Sequence, residues 1–162
     1  MLQWGMASWA GRVHSIHVGP EGGAPMQTVD AVRAVEGRGL EGDRYYEGRG
    51  AFSERPGSGR QVTLIELESI RALEVEDGIV VEPGAIRRNI VTEGVPLNHL
   101  VGAAFRVGDA VLRGTRLCEP CGHVQRLTGI DGLTQRLLHR AGLRADIVTG
   151  GTIRAGDAVG PS

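Results

Sequence analysis

The most informative feature of this 162-residue sequence is that one residue type is missing from it. All 18 of its basic residues are arginine, and it contains no lysine. A lysine Schiff base with pyridoxal phosphate is therefore excluded within this chain, and so is a phosphate loop of the Walker type, which depends on a lysine. Any anion that this protein binds must be held by arginine guanidinium groups, which suit phosphate, or by backbone N–H groups.

Three further shortages narrow the class of protein. The net charge is −1 and aromatic residues make up only 4% of the sequence, which argues against a nucleic-acid-binding protein. No apolar run approaches the roughly 18 residues of a membrane span, and the first nine residues lack the pattern of a signal peptide. With only two cysteines and no disulfide framework, we expect one cytoplasmic domain over residues 1–162, with a loose lead over residues 1–10.

The two cysteines stand three residues apart, at Cys118 and Cys121, and are the strongest candidates for chemistry. A structural zinc site normally needs four ligands, usually as two such pairs. A haem attachment motif requires histidine directly after the second cysteine, where this chain has Gly122. A redox dithiol, two buried apolar thiols, and a single reactive or metal-binding thiolate all remain open.

Of the two thiols, Cys121 is the better candidate for the functional sulfur. It follows Pro120, where the chain must turn, so we expect its side chain to be accessible to a ligand. Arg116 is close in sequence, and a nearby guanidinium group favours a thiolate. If residues 111–118 form one strand, Arg116 and Cys118 also share a face of that strand.

Segments that resemble strands outnumber helical ones. The residue patterns predict strands at 11–18, 26–36, 60–65, 79–81, 86–94 and 143–149. Two similar segments with Gly-Asp turns, 102–111 and 151–159, each predict a β-hairpin. Amphipathic helices are predicted after residue 66, ending at Asp77-Gly78, and over 132–140, with one helical turn at 97–100. No βαβ alternation is visible, which argues against a thioredoxin-type dithiol.

The recurring strands predict a mainly β protein with short helices, built as a mixed or antiparallel β-barrel with helices at its periphery. The glycine-rich polar segment 37–59 interrupts this pattern. A loop of more than twenty residues is uncommon in a compact domain and is often functional. Its alternative interpretation is a disordered excursion.

The order of several short motifs resembles the MOSC domain, named for the C-terminal domain of molybdenum cofactor sulfurase. The motifs follow family order from about Gly11 to Val159, so the resemblance covers nearly the whole chain. They are Pro25-Met26, Gly39-Leu40-Glu41-Gly42-Asp43-Arg44, Arg60-Gln61-Val62-Thr63-Leu64-Ile65, Arg87-Arg88-Asn89-Ile90, Val107-Gly108-Asp109, Pro120-Cys121, Gly150-Gly151 and Arg154-Ala155-Gly156-Asp157.

The resemblance implies a barrel of the MOSC type that binds a pyranopterin molybdenum cofactor. Cys121 matches the molybdenum ligand or sulfur carrier of the family. Arg87 and Asn89 match the segment that contacts the pterin, and Arg44 matches an arginine near the cofactor phosphate. Two auxiliary residues complete the predicted cofactor-binding set, Arg116 and Cys118.

The reaction implied by the resemblance is the two-electron reduction of N-hydroxylated small molecules, such as hydroxylaminopurines or amidoximes. The chain carries no flavin, haem or iron–sulfur motif, so a separate reductase or ferredoxin-like protein must supply the electrons. Two alternatives stay open. Cys121 can instead carry a persulfide that a separate cysteine desulfurase supplies, or the protein can be a non-catalytic module that stores or shuttles the cofactor.

Overall fold

The computed structural model describes residues 8–44, 46, 61–120 and 122–162. Its helices are α1 (Leu67–Asp77), α2 (Gly122–Thr128) and α3 (Leu133–Arg136), with 3-10 helices at Pro83–Ile86 and Leu97–Leu100. No helix in this described part is both long and apolar enough to cross a membrane. The strands are β1 (Gly11–Val18), β2 (Gln27–Val29), β3 (Ala31–Val35), β4 (Gly39–Leu40), β5 (Val62–Glu66), β6 (Ile90–Glu93), β7 (Ala104–Val107), β8 (Ala110–Leu117), β9 (Leu143–Thr149), β10 (Gly151–Arg154) and β11 (Ala158–Pro161).

Seven strands close into a barrel in the order β11, β7, β8, β9, β5, β6 and β1. The ring closes because β11 pairs with β1 as well as with β7. β5 and β6 are parallel, and the other pairs of the ring are antiparallel. β2 pairs with β1 outside the ring, and β10, β3 and β4 form a separate small sheet. The mixed β-barrel predicted from the sequence is confirmed.

Two apolar clusters stabilise this arrangement. One fills the barrel, and the other lies between the barrel wall and the helices. β5 contributes to both, because its successive side chains point to opposite faces: Leu64 packs inside the barrel and Ile65 packs under the helices. This double burial explains why two apolar residues, Leu64 and Ile65, stand side by side in β5 instead of alternating with polar ones.

Helix α1 begins and ends as the sequence predicts. Gly78 caps its C-terminus in the left-handed conformation, with φ of 68°. The helix lies between the parallel strands β5 and β6 in the chain, so the three elements form a βαβ unit that the sequence pattern did not predict. The cysteine segment is not part of this unit, because it follows β8, which pairs antiparallel with β7 and β9.

Two strand predictions fail because pairing partners distant in sequence determine the structure. The single strand expected over 26–36 is two strands, β2 and β3, which belong to different sheets. The hairpin expected over 151–159 does not form: β10 pairs with β3, whereas β11 pairs with β7 and β1. The hairpin expected over 102–111 is confirmed as β7 and β8.

Other predictions need smaller corrections. Residues 79–81 form no strand, and β6 begins only at Ile90 because a 3-10 helix precedes it. Within 132–140 only α3 is helical, and α2 was not predicted. The helical turn at 97–100 and the strands at 11–18 and 143–149 are confirmed, and the strand expected at 60–65 is β5. Most of segment 37–59 lies outside the described residues, which include β4 within it.

Two glycines with positive φ provide a matched test of how closely the backbone at residue 142 approaches strand β5. Gly142 has φ of 117°, and a Cβ atom there would overlap the carbonyl oxygen of Leu64. Gly156 has φ of 90°, and open space surrounds its Cβ position. We expect Gly156→Ala to lower the free energy of unfolding by about 1–2 kcal/mol through backbone strain alone. Gly142→Ala should cost at least about 2 kcal/mol more, because the clash adds to the strain. Urea unfolding of both variants measures the difference, and equal losses would contradict the close approach.

Candidate functional site

A cavity of about 500 Å³ lies against the outer face of β1. The first 3-10 helix, α2 and the loop between β1 and β2 complete its walls. Apolar side chains with a few polar groups line it, as is usual for ligand sites. The lining residues are His17, Gly23, Pro25, Met26, Thr28, Glu82, Pro83, Gly84, Ala85, Arg87 and Leu127.

A β-bulge in β1 turns polar side chains toward this cavity. The pairing of β1 with β6 shifts register between Val13 and Ser15. Beyond the bulge, Ile16 packs inside the barrel, so Ser15 and His17 point to the opposite face. The strand therefore offers a hydroxyl and an imidazole on the outside of the barrel.

The imidazole of His17 is buried, and each ring nitrogen lies next to a hydroxyl group. Nε2 is 2.8 Å from Oγ of Ser15, and Nδ1 is 3.0 Å from Oγ1 of Thr28. Thr28 reaches the ring because it pairs directly with His17 across β1 and β2. Burial lowers the pKa of His17 below its ordinary value, and the nearby His14 lowers it further. The ring is therefore neutral at neutral pH.

Gly84 lets the first 3-10 helix pack directly on this ring. A Cβ atom at position 84 would lie 2.9 Å from Nδ1 of His17, which is closer than real Cβ contacts. The imidazole is held by hydrogen bonds on both sides and has little freedom to move away. Glycine is therefore required here by the close approach rather than by an unusual φ.

Arg87 enters the cavity wall from the end of the first 3-10 helix. Its φ of 65° is left-handed, a conformation that costs a non-glycine residue about 1–2 kcal/mol. Its Nη1 atom donates a hydrogen bond to the carbonyl oxygen of Ala24, in the loop between β1 and β2. The guanidinium group thus links two walls of the cavity, and strained residues of this kind are concentrated at functional sites.

The side chain of Asn89, two residues further on, is committed to internal bonds. It is 5% exposed, and its Nδ2 atom donates to the carbonyl oxygen of His17 at 3.1 Å and to Oδ1 of Asp43 at 3.3 Å. Its Oδ1 atom accepts from the backbone N–H and the hydroxyl of Thr63, at 3.1 and 3.2 Å. Asn89 therefore joins the end of β1, the start of β5 and the Asp43 loop.

Asp43 extends this network to Arg44. The buried carboxylate of Asp43 accepts from the backbone N–H of Gly19 at 2.8 Å, and the N–H of Arg44 donates to the Gly19 carbonyl at 2.9 Å. The Arg44 guanidinium also lies 3.9 Å from the sulfur of Met26, which lines the cavity. Arg44 therefore stands directly behind the cavity wall.

The first cysteine lies in the interior. Cys118 is 2% exposed, and its N–H donates to the carbonyl oxygen of Gly142 at 2.8 Å. Arg116 is exposed, so the prediction that these two side chains share a face is wrong. The register of β8 shifts between Gly114 and Arg116, and the strand ends at Leu117, so the simple alternation breaks there.

Cys121, the predicted molybdenum ligand, lies outside the described residues. Its neighbours in the chain are described on both sides: Pro120 precedes it, and α2 begins at the residue that follows it. Leu127 of α2 contributes to the cavity wall. The cysteine is thus covalently joined to an element that borders the cavity.

Two interactions anchor the segment that leads to Cys121. The buried guanidinium group of Arg88 donates from Nε to the carbonyl oxygen of Ala141 at 2.8 Å. Its Nη2 atom lies 3.5 Å from the carbonyl oxygen of Cys118. The carboxylate of Glu119 accepts from the backbone N–H of His139 at 2.8 Å and lies 2.9 Å from its Nδ1 atom. The backbone before Cys121 is therefore held from two directions.

A comparison with models of protein families identifies the family of this chain. The family model for the MOSC domain matches residues 15–160. The chain belongs to the MOSC domain family. None of the curated proteins matches it.

Solved structures share the fold of this MOSC domain. YuaD from Bacillus subtilis is similar with a TM-score of 0.75 at 16% identity, over 94% of this chain and 97% of YuaD. YiiM from Geobacillus stearothermophilus has a TM-score of 0.71 at 15% identity, over 94% and 75%. YiiM from Escherichia coli has a TM-score of 0.66 at 19% identity, over 98% and 70%. At these identities the likeness concerns the fold alone.

The cavity of this MOSC domain is large enough for a ligand with an anionic group, and the acidic residue Glu82 also lines it. Its volume lies in the range of known ligand sites. Arg87 places a guanidinium group in the wall, Arg44 stands behind it, and Thr28 offers a hydroxyl. Within the described residues, no group of three or more His, Cys, Asp or Glu side chains can hold a metal ion, so a zinc site gains no support there.

Three of the predicted site residues are brought together in this MOSC domain, and others were missed. Arg44, Arg87 and Asn89 all bond to the end of β1 or to the loop that follows it, and the side chain of Asn89 points into the protein interior. Neither Arg116 nor Cys118 lines the cavity. The missed residues are connected only by strand pairing and by the buried network; they are Ser15, His17, Thr28, Asp43 and Gly84. The alternation of Ser15 and His17 on a predicted strand was the one available signal.

The buried, neutral His17 should make the stability of this MOSC domain depend on pH. In the unfolded chain histidine has a pKa of about 6.5, whereas in the folded protein the pKa of His17 is lower. The unfolded state therefore takes up the proton first as the pH falls. The stability contribution is complete above about pH 6.5 and is lost from there toward the folded-state pKa.

We expect the free energy of unfolding to fall between about pH 7.5 and pH 5.5, and to fall less in His17→Gln. Urea unfolding at both pH values measures this. His123→Gln is the matched control, because His123 is exposed on α2 and does not line the cavity. It should keep the wild-type dependence. An unchanged pH dependence in His17→Gln would contradict the neutral, buried state of the ring.

Proposed function

We propose that this MOSC protein binds a molybdenum cofactor in the cavity, with Cys121 as the metal ligand, and reduces N-hydroxylated small molecules. The observation that carries the proposal is the position of α2, which begins directly after Cys121 and borders the cavity that contains Arg87. Thiolates suit soft metals, and guanidinium groups suit the phosphate of a pterin cofactor. The family membership supports the same assignment.

The bound cofactor would supply the two-electron redox chemistry that no side chain of this protein provides. In the overall reaction the N–O bond of the substrate breaks and the oxygen leaves as water. The nitrogen product and the water together take up two electrons and two protons. We expect a separate reductase or ferredoxin-like protein in the cytoplasm to supply the electrons.

The residues of this chain would divide the work of binding. Arg87 would hold an anionic group of the cofactor from the cavity wall, and Arg44 would add positive charge behind it. Asn89 would act as a positioning residue, because its amide joins the segments that carry both arginines. Gly84 would keep the wall close to His17, so that the cavity stays narrow at this end.

Metal content tests the role of the cysteine. Protein purified from a host that makes the cofactor should contain about one molybdenum per chain, because a thiolate ligand retains the metal. Cys121→Ser should lose it. Cys118→Ala is the matched control and should keep the metal, since Cys118 is buried and does not line the cavity. Metal analysis should be accompanied by thermal unfolding of each variant, to show that all are folded.

The same preparation separates the alternative functions. Reduction of a hydroxylaminopurine by the loaded protein with an artificial electron donor supports the oxidoreductase. Molybdenum that is bound but inactive in this assay would favour a storage or shuttle module. Sulfur that cyanide releases from Cys121, in protein without molybdenum, would favour a persulfide carrier. Molybdenum retained in Cys121→Ser would contradict the proposed ligand.

The role of Arg87 can be tested against another arginine that also donates to one carbonyl group. Arg87→Gln should weaken cofactor binding by about 10–100-fold, the effect of one lost charge-assisted hydrogen bond. Arg113→Gln should leave binding unchanged, because Arg113 is exposed on β8 and donates to the carbonyl oxygen of Gly102. The measurement is the molybdenum retained after dialysis. Equal retention in both variants would contradict a role for Arg87 in binding.

A further inference from the structure

We propose that Ser15, His17 and Thr28 form a proton relay that delivers protons to the cavity. The proposal rests on the proposed function, because reduction of an N–O bond to an N–H bond and water consumes two protons. The electrons come from the separate donor protein, and the relay supplies only protons.

The relay is continuous at hydrogen-bond distance. Oγ of the half-buried Ser15 lies 2.8 Å from Nε2 of His17, and Nδ1 of His17 lies 3.0 Å from Oγ1 of Thr28. Thr28 lines the cavity at one end, and Ser15 lies at the other end on the same strand as His17. A proton that enters at Ser15 can therefore leave at Thr28 without crossing a gap.

The two hydrogen-bond partners of His17 allow its ring to pass a proton in either direction. A carbonyl or carboxylate partner accepts only, and so fixes one tautomer of a histidine. The neighbour of each ring nitrogen of His17 is a hydroxyl group, and a hydroxyl can donate or accept a hydrogen bond. Passage of one proton converts one tautomer of His17 to the other. Passage of a proton in the reverse direction, from water at Thr28 toward Ser15 once the cavity empties, restores the first tautomer together with rotation of the two hydroxyl groups.

The protonation state of the ring suits this role. Burial and the neighbouring His14 lower the pKa of His17, so the imidazole keeps one nitrogen as donor and one as acceptor. Two charged residues that flank the first 3-10 helix, Glu82 and Arg87, also line this cavity. Thr28 is exposed, so water reaches its hydroxyl while the cavity is empty. A ligand that fills the cavity would displace this water, and Thr28 would then receive its proton through Ser15 and His17.

Nuclear magnetic resonance of the apoprotein tests the relay without the cofactor. The ¹⁵N shifts of the two His17 ring nitrogens should be averaged between the two tautomers in wild type. Ser15→Ala should remove the averaging, because Nε2 then lacks its hydroxyl neighbour. A single fixed tautomer in wild type would overturn the proposal, since a histidine with a purely structural role needs only one tautomer.

Turnover of the loaded protein gives the second readout. His17→Gln should lower the rate of hydroxylamine reduction by about 100-fold, the lower range for loss of acid–base catalysis. Ser15→Ala should lower it by about 10-fold, with a larger solvent deuterium effect, because one link of the chain is lost. His99→Gln should match wild type, because His99 is exposed on the second 3-10 helix and does not line the cavity. Molybdenum content should be equal in all four proteins.

The outcomes of the relay and of the proposed function are distinguishable. Wild-type rates in Ser15→Ala, with a wild-type solvent deuterium effect, would overturn the relay while leaving the enzyme intact. A wild-type protein without molybdenum or without reduction would overturn the proposed function. In that case averaged His17 tautomers would still support proton transfer along this chain, and a fixed tautomer would exclude it.

Discussion

The buried side-chain amide of Asn89 is the constraint on which the candidate site depends. It bonds to the end of β1, to Thr63 at the start of β5 and to Asp43, whose carboxylate holds Gly19. Buried polar groups of this kind are costly unless all their bonds are made, and when all are made they favour one arrangement of the chain. The amide thereby sets the positions of Arg44 and Arg87 relative to the barrel.

Strands whose inner face meets the core could be predicted from the sequence with accurate ends. β9 is an example, because its burial alternates and imprints a period of two on its residues. Strands whose pairing partner is distant in the sequence could not be predicted in this way. Residues 26–36 divide between two sheets, and β10 and β11 separate, because pairing with β3, β7 and β1 decides their paths. Such non-local pairing leaves no local pattern.

The candidate site, too, could be predicted only in part from the sequence. Motif order selected Arg44, Arg87 and Asn89, and all three bond to the end of β1 or to the loop that follows it. It did not indicate that Asn89 faces the interior. His17 and Thr28 were missed because a bulge in β1 and the pairing of β1 with β2 bring them together, and neither feature is visible in residue spacing. Arg88 was placed with the motif, and its guanidinium supports the cysteine segment instead.

In the proposed function, the sulfur of Cys121 connects the cavity and its arginine residues to the redox chemistry. A crystal structure of the molybdenum-loaded protein, with anomalous diffraction at the molybdenum edge, tests this connection most directly. We expect the metal on Sγ of Cys121 and the pterin in the cavity beside His17 and Arg87. Molybdenum bound elsewhere, or a pterin outside this cavity, would contradict it.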